Sequence, residues 1–246
     1  MMKCCCTGTL GALALIVGLA ATGGFTSSHD NNAAWKGDVY TLDRCIISGE
    51  KLGSMGEPVV KSYDGREVRF CCESCIPKFE GSKDKYIKQI DEELIEQQIA
   101  HYPLTHCLVM EEDALEGRHE ESVKMIYNNR LVRFCCPDCI KDFKADPAKY
   151  VAKLDEAVIK QQSEKYPLEK CPISGEALGS MGEPVNYVVG TTLVKFCCKA
   201  CIAKFEKDPL PVLAKVQEGW KAAHSEPGAA PHGETPAKPA EKKPGG

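Results

Sequence analysis

The chain has 246 residues, a net charge of −4 and 27% charged residues. Its lysines and arginines are scattered rather than gathered into the basic stripe that nucleic-acid binding needs, which excludes that class. The length allows one to three domains. The composition is ordinary except for 15 cysteines.

The N-terminus accounts for three of those cysteines. Lys3 opens a basic start, "LGALALIVGLAA" at 10–21 is apolar, and "TGGFTSS" supplies a small-residue exit. This is the pattern of an export signal, here residues 1–24, with cleavage expected near Ala20 to Gly24. An uncleaved membrane anchor is the alternative, because the uncharged stretch from Cys4 to Ser28 is 25 residues long. Its strongly apolar part is short for a span. No cysteine follows the apolar run, so the usual bacterial lipid attachment point is missing. Cys4, Cys5 and Cys6 precede it and fall outside the folded part. The expected location is therefore periplasmic or extracellular. Residues 25–39 read as a linker. At the other end, residues 225–246 are rich in Pro, Gly, Ala, Lys and Glu and read as a disordered tail with nothing to bury.

Between these ends the chain repeats itself, with units at 40–101, 102–165 and 166–224. Each opens with Tyr-x-Leu-x-x-Cys: "YTLDRC", "YPLTHC", "YPLEKC". The opening cysteines, Cys45, Cys107 and Cys171, are 62 and 64 residues apart. Two short β-prone runs follow around Asp64-Gly65, Asn128-Asn129 and Gly190-Thr191, which predicts a hairpin in every unit. Next come "FCCESC", "FCCPDC" and "FCCKAC", and a phenylalanine four residues on (Phe79, Phe143, Phe205). The triplet is expected on the first turn of a short helix. A break follows, marked in two units by Asp146-Pro147 and Asp208-Pro209 as an N-cap with proline at the first helical position. A longer helix completes each unit. Tyr86, Ile90 and Leu94 with Ile87, Ile95 and Ile99, and Tyr150, Leu154 and Val158 with Val151 and Ile159, keep roughly helical spacing. The third helix is expected to end near Trp220. These helices are expected to connect and pack the units.

Every cysteine after the signal belongs to this scheme. A module of about 40 residues is too small to hold itself by apolar burial alone and needs a metal or disulfides. At about 100° per residue, Cys72 lies near 100° from Cys71 and Cys75 near 40°, so the triplet shares one helical face with Phe79. Cys45 approaches from before the hairpin. Four sulfurs under an apolar shield suit a closed tetrahedral site for Zn²⁺, or a Cu⁺ or other soft-metal site. The candidate ligands are Cys45, Cys71, Cys72 and Cys75; Cys107, Cys135, Cys136 and Cys139; Cys171, Cys197, Cys198 and Cys201. Two adjacent cysteines rarely serve one metal ideally. A set of three would need a fourth ligand: Glu50, Glu57 or water in the first unit, His106 or His119 in the second. His106 also reads simply as an exposed polar residue. Disulfides are a second reading, because exported proteins meet an oxidising compartment. A thiol–disulfide oxidoreductase is a third, resting on C-x-x-C at 72–75, without the βαβ context that usually accompanies it. No catalytic set recurs with the units, so an enzyme is not expected. The spacing favours metal binding over the other two.

Cys-x-x-Ser-Gly, a hairpin, and then Phe-Cys-x-x-x-Cys-x-x-x-Phe-x-x-Asp-Pro-x-x-Tyr resemble the YHS and TRASH metal-binding domains. "FCCPDCIKDFKADPAKY" at 134–150 is the nearest stretch. The resemblance covers about 40 residues of each unit. It implies an α+β repeat of three treble-clef-like zinc-binding units (knuckle, β-hairpin, helix) joined by longer helices, with a role in heavy-metal sensing, trafficking or transport. The family's ligand pair after the hairpin maps onto Cys71 and Cys75, Cys135 and Cys139, Cys197 and Cys201. Its first cysteine maps onto Cys45, Cys107 and Cys171. Its second would fall at Ser48, Met110 and Ser174, where this chain departs. The extra thiols Cys72, Cys136 and Cys198 are expected to substitute for it.

A second phrase, "SGEKLGSMGEP" at 48–58, recurs as "SGEALGSMGEP" at 174–184, but the middle unit has "MEEDALEGRHEES". Met55 and Met181 read as soft thioether ligands beside the thiolates. They are read in preference as buried residues of a glycine-permitted loop. The middle unit, lacking the phrase, is expected to carry the weaker or purely structural site. The expected partners are metal ions and, in a structural or interaction role, a protein docked on the linking helices. Membrane contact is expected only if the N-terminal segment stays uncleaved.

Overall fold

The computed structural model describes residues 37–116 and 122–224. The export segment, most of the linker, His119 and the tail lie outside the described residues.

Each unit begins its regular structure with one antiparallel hairpin, and the three hairpins form three separate sheets. They are β1 (Val59–Tyr63) with β2 (Arg66–Phe70), β3 (Val123–Tyr127) with β4 (Arg130–Phe134), and β5 (Val185–Val189) with β6 (Thr192–Phe196). Register is the same in all three, pairing Val59 with Phe70, Val123 with Phe134 and Val185 with Phe196. Two-residue loops set it. Asp64 and Gly65 have φ of 52° and 84°, and Asn128 and Asn129 have 46° and 69°, the double left-handed signature of type I′ turns. In the third loop Gly190 is left-handed at 57° and Thr191 is not, as a type II′ turn requires.

A short and a long helix follow each hairpin: α1 (Cys75–Glu80) and α2 (Lys83–Ile99), α3 (Cys139–Ala145) and α4 (Pro147–Gln162), α5 (Ala200–Lys207) and α6 (Leu210–His224). The sequence signals explain where they start and stop. Asp146 caps α4 by accepting from the Lys149 N–H, with Pro147 at the first position. Pro209 stands one residue before α6, and α6 runs to His224 rather than ending near Trp220. Among the described residues no helix is long and apolar enough to cross a membrane.

Each unit has its own apolar cluster built on a phenylalanine pair. Phe70 and Phe79, Phe134 and Phe143, and Phe196 and Phe205 have ring centroids 5.2, 5.4 and 5.5 Å apart, and all six rings are buried. The cysteines lie in these same clusters.

The long helices do join and pack the units. The first two lie on the hairpin of the following unit, α2 on β3 and β4, and α4 on β5 and β6. One glutamine makes each joint. Gln98 donates to the Asn129 carbonyl and accepts from the Leu131 N–H at 2.9 and 2.8 Å. Gln162 does the same for Thr191 and Leu193, at 2.8 and 2.8 Å. Both satisfy backbone groups near a hairpin turn that would otherwise be buried unpaired. The third unit then returns to the first. Arg69 donates to the carbonyls of Lys207 and Glu206 at the end of α5, and Leu210 packs against the first unit's cluster. Val39, ahead of the first unit, sits in the third unit's core.

The hairpin tips converge on a polar centre. Arg130 is fully buried and donates to both carboxylate oxygens of Asp38, at 2.5 and 2.7 Å, to Asp155 at 2.5 Å and to the Val188 carbonyl at 3.1 Å. Asp38 also accepts from the Gly190 N–H at 2.7 Å and donates its own N–H to the Asn128 carbonyl. Asn129 bridges back to the first unit, donating to the carbonyls of Glu67 and Asp38 and accepting from Arg66 Nε. Replacing Arg130 with Met strands two buried carboxylates and is expected to cost about 3–5 kcal/mol. Replacing Gln98 with Ala leaves the Leu131 N–H and Asn129 carbonyl unpaired, at about 1–3 kcal/mol for each group. A lowered urea midpoint, larger for Arg130→Met, is the check.

Candidate metal centres

Each centre is assembled from two local structures. The first is a tight loop around the opening cysteine. Cys45 donates its N–H to the Glu50 carbonyl and its own carbonyl accepts from Gly49, both at 2.8 Å. Gly49 takes φ of 75°, which closes the loop and favours glycine there. Cys171 and Gly175 repeat this, with Gly175 at 78°. The middle loop is one residue longer: Cys107 donates to Asp113, and the flanking bridge joins His106 to Ala114 rather than spanning seven residues as Arg44 to Lys51 does.

The second local structure is the hairpin exit. Cys71 follows the last residue of β2, and the chain turns before α1 begins at Cys75. Cys75 N–H bonds to the Cys72 carbonyl at 3.3 Å and Ile76 N–H to Glu73 at 3.1 Å. The expectation that the whole triplet rides on a helical turn is therefore corrected. Cys71 and Cys72 lie on a turn ahead of the helix, and only Cys75 is helical. Cys139 likewise opens α3, and Cys201 is the second residue of α5.

The two structures bring three sulfurs together in every unit: Cys45, Cys71 and Cys75; Cys107, Cys135 and Cys139; Cys171, Cys197 and Cys201. Within each set all sulfurs lie within 4.8 Å of one another, and all nine residues are buried. The fourth thiol stands beside the set and is half-buried. Cys72 is 3.7 Å from both Cys71 and Cys75. Cys136 is 3.9 and 3.7 Å from Cys135 and Cys139, and Cys198 is 4.0 and 3.9 Å from Cys197 and Cys201. Inner pairs are as close: 3.7 Å for Cys71–Cys75, 3.8 Å for Cys107–Cys139, Cys135–Cys139 and Cys197–Cys201. A tetrahedron with Zn–S bonds of roughly 2.3 Å has edges of about 3.8 Å. All twelve cysteines among the described residues are free thiols, at spacings far beyond the roughly 2 Å of a disulfide. The middle unit's triad is as compact as the other two.

An oxygen stands beside each set that spacing alone did not reveal. The Ser48 hydroxyl is 3.3 Å from Cys71 Sγ and the Ser174 hydroxyl is 3.3 Å from Cys197 Sγ. In the middle unit Cys135 donates to Asp113 Oδ2 at 3.4 Å. Ser48 and Ser174 stand three residues after their opening cysteines, where the middle unit has Met110. Asp113 supplies the oxygen there because the loop is longer. Met110 contributes its backbone N–H to Cys107 Sγ at 3.4 Å, while its side chain is exposed.

The other fourth-ligand candidates are not part of the sets. Among the described residues the ligand groups contain cysteine alone. Glu50 and Glu57 are exposed. His106 is also exposed, with Nδ1 2.9 Å from the Thr105 hydroxyl. Met55 and Met181 are not buried as expected, being 64% and 67% exposed. Their Gly-rich loops project them into solvent.

The electrostatics divide the thiols. Burial opposes ionisation of Cys45. The Cys71 N–H, the Ser48 hydroxyl and the N–H groups of Ser48 and Ile47 outweigh it, lowering the thiol to about 7. Cys171 has the same balance of burial against Ser174 and neighbouring N–H groups and falls to about 6. Cys107 is lowered too, against burial, by the N–H groups of Met110, Cys135 and Val109. Burial first, and then the neighbouring sulfurs, push Cys75, Cys135 and Cys201 up to about 12. Each loop thus stabilises one thiolate, and a cation would discharge the remaining protons.

Comparison with family models, with characterised proteins and with solved structures finds no match to this chain.

The sign of the pH dependence follows for the metal-free protein. The lowered thiols contribute stability that is complete above about 9 and lost as pH falls through about 7 for Cys45 and about 6 for Cys171. The raised thiols contribute stability that is complete below about 9 and lost as pH rises toward about 12. Thermal stability without metal is therefore expected to rise with pH from about 6, peak near 9 and fall toward 12. In a thiolate-absorbance titration, Cys171→Ser is expected to remove the lowest step.

Proposed function

We propose that this is a metal-binding protein holding one transition-metal ion in each of its three units through cysteine thiolates. The observation that carries the reading is the threefold recurrence of a buried sulfur triad, with a fourth sulfur at 3.7–4.0 Å from two of its members. That spacing fits Zn²⁺, and the all-sulfur donor set also suits Cu⁺ or another soft heavy metal. Cys45, Cys71 and Cys75 would hold the ion in the first unit, with Cys72 at the remaining corner, and their counterparts would do so in the others. The bound cation would supply charge neutralisation for clustered thiolates and a cross-link between knuckle loop, hairpin and helix. The order of these three parts supports the YHS/TRASH-type resemblance, and with it a role in metal buffering or trafficking. The basic-then-apolar start of the chain supports export.

A second reading has one observation in its favour. Cys72 and Cys75 have C-x-x-C spacing, with a half-buried first thiol 3.7 Å from a buried second one, as in thiol–disulfide exchange.

Elemental analysis of the purified protein, with thiol counting after chelation, separates the two. About three metal ions per chain are expected, one for each triad, and Cys75→Ser, Cys139→Ser and Cys201→Ser should each remove one. No bound metal, together with turnover of a disulfide substrate, would transfer the assignment to the second reading.

A further inference from the structure

The four thiols of a unit are not equivalent, and the same one differs in all three. In the first unit Cys45, Cys71 and Cys75 are only 0%, 4% and 5% exposed. Each is fixed by its surroundings: Cys45 by the knuckle hydrogen bonds, Cys71 by the end of β2, Cys75 by the start of α1. Cys72 belongs to neither strand nor helix. It sits half-buried on the connecting turn with its sulfur 3.1 Å from the Ser74 hydroxyl, itself at the exposed surface. Cys136 and Cys198 occupy the same turn and are half-buried as well. A site built only to staple the fold gains nothing from leaving one ligand open to solvent. A site whose contents must leave needs such a ligand, because a buried thiolate cannot be approached by a competitor.

We propose that Cys72, Cys136 and Cys198 are the exchange ligands of the three sites, through which each ion is passed to an acceptor thiol while the inner three thiolates retain their grip until the end. This rests on the metal-binding reading and adds transfer to it. In the exchange the acceptor thiol gives up its proton and forms a metal–sulfur bond. The bond to the Cys72 sulfur breaks with its electron pair staying on sulfur, and that sulfur takes up a proton. Nothing is oxidised or reduced, and the acceptor is any small or protein-borne thiol able to reach the turn. The oxygen of Ser48, Asp113 or Ser174 stands beside an inner sulfur at 3.3–3.4 Å.

Two measurements on the full-length chain test this, with Zn²⁺ as the loaded ion. The first maps alkylation of the zinc-loaded wild type by iodoacetamide. Cys72, Cys136 and Cys198 are expected to react at least about tenfold faster than the nine inner cysteines, with zinc still bound afterwards. The second uses the triple variant Cys72→Ser, Cys136→Ser, Cys198→Ser. It is expected to keep about three zinc ions, one for each triad, at an affinity lowered about 10–100-fold, and to release them faster to dithiothreitol. Its Co²⁺ form should lose sulfur-to-cobalt charge-transfer intensity as each ion goes from four thiolates to three. Inner cysteines that react as fast as the outer ones would overturn the proposal. So would a variant with unchanged cobalt spectrum and release rate, whose outer thiols are then not ligands, or a variant that binds no zinc, whose outer thiols are then indispensable. A wild type that takes up no zinc would overturn both this and the metal reading, and would be seen before any variant is made.

Discussion

Arg130 is buried completely between the carboxylates of Asp38 and Asp155, and the three hairpin tips meet around it. An ion cluster stripped of water is costly unless nearly every donor and acceptor is matched. Here the matching partners come from the whole chain. Asp38 precedes the first unit, Arg130 opens β4 just after the turn of the second hairpin, Asp155 lies on the helix that leads to the third, and Val188 and Gly190 belong to the third hairpin. The centre is complete only when all three units are in place. It therefore helps to specify one arrangement of the three repeated modules.

That arrangement fixes where the thiols go. A hairpin has its turn at one end and its chain exits at the other, and the turns are at the centre. From Gly65 to Cys71 the chain covers six residues, about 20 Å at strand rise. Each thiol set is thus held at the root of its hairpin, away from the centre and from the other two sets. The glutamines at the ends of α2 and α4 and the Arg69 contact with α5 tie neighbour to neighbour around the ring. The result is three separate sulfur cages on one frame rather than one shared cluster.

The hairpins and the cysteine register were legible in the sequence because their causes are local. Asn-Asn, Asp-Gly and Gly-Thr dictate their turns within a few residues, and the Phe-Cys step fixes which face meets the core. The ring was not legible. Gln98 and Gln162 look like polar ends of amphipathic helices, and only the neighbouring hairpin reveals that they complete its backbone hydrogen bonds. Asp38 fell in a stretch read as linker, because nothing nearby in sequence needs a carboxylate. The helical-wheel projection of Cys71, Cys72 and Cys75 grouped the right residues through the wrong geometry, since a turn brings together neighbours that a helix would also have brought together. Met55 and Met181 were misplaced for a different reason. Apolar character suggested burial, but the left-handed glycines around them carry the loop outward.

Frame and cages depend on each other. A unit's apolar cluster is small, and three of its members are thiols whose protons are held by burial or drawn off by the knuckle. Replacing those protons with a cation would cross-link loop, hairpin and helix, adding stability in proportion to the logarithm of metal concentration over its dissociation constant. Because α2 and α4 each belong to one unit and pack on the next, stiffening one hairpin root also steadies the hairpin beyond it. On the proposed function, the three ions would then bind with favourable coupling through the shared frame, although no two of them share a ligand. Coupled uptake with a half-buried outer thiol in each cage would reconcile secure holding with release. On the same reading, the frame would set how firmly the inner three sulfurs are placed, and the single half-buried sulfur would set how readily a competitor could begin to remove an ion.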